Sequence, residues 1–324
     1  MVDKQNEAVV LLNMGGPNNL FEVELFLKNM FNDPLILTIK SPFMRKMVAN
    51  MIANSRLESA KSNYKHIGSK SPLVELTFKL TKQLQALDST RFYTYAMRYT
   101  PPFSDSVAME LKNKNINKIT LFSMYPQYSN TTTLSSVRDF LRALKELDYN
   151  PEIKIVENYP TDSGFIESCI EKIKETNKNF GDFILFLSAH SIPKRMIDLG
   201  DPYKNEIEQS AKALKEALEF QNIYFKKIII TYQSKIGPVK WLEPSTADMI
   251  KKYKDSNIMI YPLAFSIDNS ETDYELEIEN RHLAQNLGIK EYVVCKCPNY
   301  STTFAKAIIN LINSTKKDIK DAKI

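Results

Sequence analysis

Glycine is scarce in this sequence, eight among 324 residues, and neither G-x-G-x-x-G nor G-x-x-x-x-G-K-[ST] occurs. Without such loops the chain has no motif for cradling a dinucleotide or a nucleoside triphosphate. Cysteine is scarcer: Cys169, Cys295 and Cys297. Three thiols cannot pair off into a disulfide framework, and their number points to a reducing compartment. Cys295-x-Cys297 with a distant Cys169 lacks both a fourth ligand and C-x-x-C spacing, which argues against a zinc or iron–sulfur site. Apolar runs are short (183–187 is among the longest), far below the roughly 20 residues of a membrane span. Charge of one sign is also lacking. Lys+Arg 43 against Asp+Glu 38 leaves +5, too little and too dispersed for a nucleic-acid footprint. The opening residues 1–7 are polar, with neither a secretory apolar core nor an Arg-rich presequence. A cytoplasmic protein is expected, touching lipid at most peripherally.

What is present is a regular alternation. A length of 324 residues corresponds to two domains at roughly 150 residues each. Short β-branched and aromatic runs at 8–12, 92–97, 118–123, 153–156, 183–189, 227–231, 257–261 and 292–295 read as strands. Amphipathic segments fill the gaps at 20–29, 43–62, 72–85, 103–114, 133–147, 163–178, 205–220, 245–254, 272–287 and 303–313. Several strands are almost continuously apolar, as strands covered on both faces must be. The expected fold class is therefore α/β: two similar doubly wound domains, each a four-stranded parallel sheet flanked by helices. The first lobe is expected over 1–155 and the second over 156–299. A last helix, in about 300–324, is free to pack back on the first lobe. The Lys-rich tail after Ser314 is expected to be frayed and solvated.

In open parallel sheets, ligands bind beyond the carboxyl ends of the strands. The chemically distinctive segments fall at those ends: Met14-Gly15-Gly16-Pro17, Met97-Arg98-Tyr99, Tyr125-Pro126-Gln127-Tyr128-Ser129, Tyr159-Pro160, His190, Tyr232-Gln233-Ser234-Lys235 and Phe265 to Glu271. A rim rich in Met, Tyr and Phe suits a large, flat, mostly apolar ligand better than a phosphate. His190 follows an apolar strand and precedes Pro193, which favours a ligand-facing role, whereas His66 and His282 read as surface residues. Glu271, Glu275 and Glu279 are spaced to stack along one stripe of an α-helix. By spacing alone, a solvated acidic face and a row of oxygen ligands for a hydrated divalent cation are equally good readings.

Taken together these segments resemble the ferrochelatase family. The resemblance rests on 11–17, 97–99 and 125–129, then on Ser188-Ala189-His190-Ser191-Ile192-Pro193 and Gly200-Asp201-Pro202-Tyr203. It continues through 232–242 and Asp268-Asn269-Ser270-Glu271-Thr272-Asp273-Tyr274-Glu275, so it covers essentially the whole chain in order. It implies two four-stranded lobes around a porphyrin cleft, and insertion of Fe²⁺ into protoporphyrin IX to give protohaem with release of two protons. His190 and Glu271 are then the catalytic pair, facing each other across the cleft, and the resemblance leaves open which takes protons and which handles metal. Glu275 and Glu279 continue the family's acidic helix, with His190 and Glu271, as a path for metal or protons. Met14, Tyr99, Tyr125, Tyr159, Trp241 and Phe265 would line the porphyrin slot, Arg98 and Ser71 would hold propionates, and Asp268 and Asn269 would support the site.

The sequence departs from the family pattern in places. Asn269 stands where the family usually has His, and Tyr159 where it often has Trp. Met14 follows the first strand as in the protoporphyrin-using branch, not the coproporphyrin-using one. The C-terminal cysteine extension of cluster-bearing members is missing, so no cofactor beyond the substrate iron is expected. The expected partners are protoporphyrin IX and ferrous iron, with no nucleic acid, in a monomer that could meet a membrane face or a preceding haem-pathway enzyme. The alternatives are a chelatase for coproporphyrin III or for cobalt or nickel, and a non-catalytic porphyrin or haem carrier.

Overall fold

The computed structural model describes residues 6–235, 237 and 239–319. Residues 1–5, Ile236 and Pro238 of the 232–242 motif, and the end of the Lys-rich tail lie outside the described residues. The chain divides into two units, Met1–Asn158 with Ile308–Ile324, and Tyr159–Ala307.

The first unit is built on strands β1 (Glu7–Asn13), β2 (Phe92–Met97), β3 (Lys118–Ser123) and β4 (Glu152–Val156). They form one parallel sheet in the order β2-β1-β3-β4, with Ala8 opposite both Phe92 and Ile119. Helices α1 (Glu22–Phe31), α2 (Pro42–His66), α3 (Leu73–Leu87), α4 (Ser104–Asn113) and α5 (Ser135–Glu146) make the connections. Ala8–Leu12 is at most 2% exposed, which explains why β1 is apolar without alternation. Val10, Leu12 and Leu121 pack with Val137 and Phe140 of α5. Burying each such side chain stabilises the unit by roughly 1.5–3 kcal/mol.

The second unit repeats the plan with β5 (Phe183–His190), β6 (Lys227–Gln233), β7 (Asn257–Pro262) and β8 (Tyr292–Val294), all parallel, in the order β6-β5-β7-β8. Its helices are α6 (Ser163–Lys174), α7 (Lys194–Asp198), α8 (Tyr203–Phe220), α9 (Thr246–Lys252) and α10 (Asn280–Asn286), and α11 (Thr302–Ser314) spans the division. Asp162 caps α6 by accepting the Phe165 N–H at 2.9 Å. Phe186, Ile258, Ile260 and Leu276 form the core on one face of this sheet. Among the described residues no helix is long and apolar enough to cross a membrane.

Besides small shifts of helix ends and the unexpected short α7, the structure differs from the sequence expectation in three places. The segment expected as one α-helix over 272–287 is a π-helix over Glu271–Glu279 that runs into α10. Buried Thr272 and Leu276 mark a helix there, but a hydrophobic pattern does not distinguish i→i+4 from i→i+5 bonding. A second π-turn, Asn130–Leu134, precedes α5. The tail from 315 to 319 is not frayed but runs along the edge of β4. Lys154 bridges antiparallel to Asp318, Ile155 N–H donates to Lys317 O at 3.2 Å, and Lys317 pairs with the carboxylate of Glu157. An otherwise unpaired strand edge is thereby covered.

Candidate active site

In the second unit, β5 ends at His190 and its neighbour β6 ends at Gln233, which is its register partner. On the other side of β5, the loop after β7 leads into the π-helix at Glu271. Three carboxyl ends thus converge beside the point where the strand order reverses, the place where doubly wound sheets bind ligands. His190 Nδ1 lies 2.8 Å from Glu271 Oε2. The same oxygen accepts Ser234 Oγ–H at 2.7 Å and Gln233 Nε2–H at 3.3 Å. All three donors therefore gather on Oε2, and among the described residues Oε1 of Glu271 and Nε2 of His190 carry no hydrogen bond.

Glu275, one turn on, reaches the same serine. Its Oε1 accepts the Ser234 N–H at 2.7 Å and its Oε2 meets the Ser234 hydroxyl. Ser234 itself sits at φ 65, in the left-handed region, which turns both its N–H and its Oγ toward the acids. Behind them, Asn269 Oδ1 accepts the Glu271 N–H at 2.8 Å. Asp268, 3% exposed, accepts Cys297 N–H at 3.1 Å and Asn299 Nδ2–H at 2.8 Å. The start of the π-helix is thereby tied to the loop after β8. Tyr203 Oη–H donates to the His190 carbonyl at 2.9 Å and fixes the end of β5.

Burial alone would favour neutral forms, but the pair resists it. Desolvation lowers the affinity of His190 for a proton, yet the charge of Glu271 and its hydrogen bond outweigh that, and the imidazole is raised above 6.5. Burial likewise pushes Glu271 up, while His190, Ser234 and Gln233 pull it further down, so it stays ionised. Glu275 is raised to about 7 by burial and by the neighbouring Glu271 charge, with Ser234 offsetting part of this. The hydrogen count fits: one hydroxyl cannot donate to two carboxylates, so a protonated Glu275 donating to Ser234 Oγ completes the pattern. An imidazole held at Nδ1 by a carboxylate can take a proton at Nε2 and be stabilised as imidazolium.

The expected site residues fall on both units. His190, Glu271 and Glu275 come together, and Glu279 is exposed. His190 and Glu271 lie on one unit, in keeping with the expected lobe limits, but they do not face each other across a cleft: they are directly bonded. Among the described residues no group of three or more His, Cys, Asp or Glu side chains is gathered as for a metal ion. Trp241 and Phe265 are half-buried in the second unit. Tyr159 is 3% exposed and packs edge-on against Phe165 at 5.3 Å between ring centres, a core position and not an open wall.

In the first unit, Met14 and Tyr125 are half-buried, but the residues expected to hold propionates are occupied. Arg98 gives Nε–H to Ser135 Oγ at 2.9 Å and pairs with Asp33 at 3.1 Å and Asp139 at 3.6 Å. Asp33 also accepts Tyr99 Oη–H at 3.0 Å, and both Asp33 and Tyr99 are 2% exposed. Asn29, Asp33, Arg98, Asp139 and Arg142 border an open cavity of about 370 Å³. Ser71, 4% exposed, lies against Gly16, where an added Cβ would meet its Oγ at 2.5 Å. As they stand, Arg98, Tyr99 and Ser71 brace the loops around β1 and β2.

Sequence reasoning quoted Gln233, Ser234 and Tyr203 inside motifs without giving them roles, and it missed Asp33. Position at the end of β6 was the available signal for Gln233 and Ser234. Asp33 had none, since Arg98, Tyr99 and Ser135 lie 65 to 102 positions away.

The ferrochelatase family profile matches residues 6–316. A ferrochelatase of Helicobacter pylori (strain HPAG1) is 53% identical over 315 residues, covering 96% of this chain and 94% of the relative. The ferrochelatase of Wolinella succinogenes is 53% identical over 309 residues, covering 95% and 98%. Among solved structures, SirB from Bacillus subtilis with Fe³⁺ aligns with TM-score 0.55 at 12% identity, over 74% of this chain and 88% of that one. At that identity the likeness speaks for the fold alone, the same two-sheet plan. The chain belongs to the ferrochelatase family.

Proposed function

We propose that the chain is a metal-chelatase lyase that inserts Fe²⁺ into protoporphyrin IX to give protohaem, and that His190, Glu271 and Glu275 carry the proton and metal handling. Family membership supports the reaction. The observation that supports the residues is the 2.8 Å bond between His190 Nδ1 and Glu271 Oε2 at the converging strand ends. Replacing two pyrrole protons by a cation needs acceptors that ionise near neutrality. Neutral His190 takes a proton at Nε2, and Glu271 steadies the resulting imidazolium. Glu275, at about 7, is the next holder of a proton on its way out. Ferrous iron, the incoming substrate, meets the unengaged Oε1 of Glu271.

Protoporphyrin is preferred over coproporphyrin III, in keeping with Met14 after β1. The porphyrin contacts are Met14, Tyr125, Trp241 and Phe265. The chain acts in the cytoplasm as a monomer and needs no iron–sulfur cluster. Burial pushes the Cys169 thiol up to about 12 and raises Cys295 and Cys297 as well, which disfavours thiolate ligands. The test is anaerobic mixing of the purified protein with Fe²⁺ and protoporphyrin IX, followed by haem absorbance. No metalloporphyrin above background would overturn the assignment.

A further inference from the structure

We infer that Ser234 is a positioning residue for iron: it holds Glu271 and Glu275 as a pair and decides which carboxylate oxygen is left to meet the cation. The inference deepens the reading of Glu271 given above and rests on it.

Ser234 supplies two of the donors that reach the two acids: its Oγ lies 2.7 Å from Glu271 Oε2, and its N–H lies 2.7 Å from Glu275 Oε1. Its hydroxyl also meets Glu275 Oε2, so both oxygens of Glu275 are engaged by one residue. Glu271 is held differently. Ser234, Gln233 and His190 all converge on Oε2, and Oε1 is the oxygen they leave out. A carboxylate fixed through one oxygen presents the other in a defined direction, as partners behind a metal ligand generally do. The left-handed backbone at φ 65 makes this possible, because it aims N–H and Oγ of a single residue to the same side. Gln233 is itself pinned, its Oε1 accepting Ser188 Oγ–H at 2.6 Å, so the carboxylate cradle is anchored in the buried sheet.

The test compares wild type with Ser234→Ala, which removes the hydroxyl, and Ser234→Gly, which also relieves the left-handed backbone. Anaerobic steady-state metalation gives KM for Fe²⁺ and for protoporphyrin IX separately, and thermal melting reports folding. Partners behind a metal ligand are worth about 10–100-fold in metal affinity. Both variants are expected to raise KM for Fe²⁺ at least tenfold while KM for the porphyrin stays within twofold. An unchanged KM for Fe²⁺ in folded variants would overturn the role of Ser234, as would an equal rise for both substrates. Absence of metalation by wild type would instead overturn the underlying assignment.

Discussion

His190 and Glu271 are 81 positions apart in sequence, yet Nδ1 of one lies 2.8 Å from Oε2 of the other, with both side chains partly shielded from water. Charge and hydrogen bond together hold the imidazole above its ordinary range and the carboxyl below it. Both shifts favour the ion-paired form, and whenever His190 is charged it must shed the imidazolium proton before it can accept another.

A pH dependence follows from the sign of that shift. Neutral His190 accumulates only as pH rises through a value above 6.5, so kcat should climb along an acid limb whose midpoint lies above 6.5. Glu271→Gln removes the charge that raises His190 and leaves the burial that lowers it. The limb should move to lower pH in that variant even as the maximum rate falls. A pH–rate profile with its limb unmoved would separate the titration from this pair. The limb reports the coupled group, Glu275 included.

Asp33 is expected to be a stability residue of the first unit. Its side chain is 1% exposed and meets Arg98, Tyr99 and Ser135. Asp33→Ala removes the buried carboxylate that Arg98, Tyr99 and Ser135 share and leaves Arg98 only the longer pair with Asp139 at 3.6 Å. Breaking a buried pair costs roughly 3–5 kcal/mol. Urea denaturation should show a loss in that range, whereas a loss below about 1 kcal/mol would mean that the pair is solvated.

Gly15 tests the loop after β1. It sits at φ +84, and an added Cβ would meet Thr100 Oγ1 at 2.3 Å. The Thr100 hydroxyl also accepts the Gly16 N–H at 3.0 Å, so it cannot move aside without breaking that bond. Gly15→Ala should destabilise by about 1–3 kcal/mol from the backbone alone, with the clash adding to it. Equal melting temperatures for variant and wild type would contradict this.

Porphyrin choice is checked by metalation rates side by side. Protoporphyrin IX should be metalated faster than coproporphyrin III, which brings two further carboxylates to a chain whose Arg98 is already engaged by Asp33 and Asp139. The reverse order would contradict the role given to Met14.

Much of the fold was legible because the strands are buried on both faces. Runs such as Val9 to Leu12 and Phe183 to Leu187 are apolar for that reason, and β2 and β3 have the limits their sequences suggest. The identities of His190, Glu271 and Glu275 were legible from position and family pattern. Their mutual geometry was not. The lobe limits place both residues on one unit, but nothing local brings Glu271 Oε2 onto His190 Nδ1, and nothing in the 272–287 pattern distinguishes a π-helix from an α-helix. The tail misled for a similar reason: lysines suggest solvent, but the backbone of 315–318 had a strand edge to pair with and Lys317 had Glu157. Ser234 was hidden because its role depends on a left-handed backbone and on acids 37 and 41 positions away.

The central claim is that His190, oriented by Glu271, takes the protons displaced by iron. It is tested most directly by anaerobic metalation of protoporphyrin IX with wild type and His190→Ala, with porphyrin binding followed separately by fluorescence. The account expects wild type to form haem and the variant to bind porphyrin normally while kcat falls by about 10²–10⁴-fold. Full turnover by His190→Ala would contradict it.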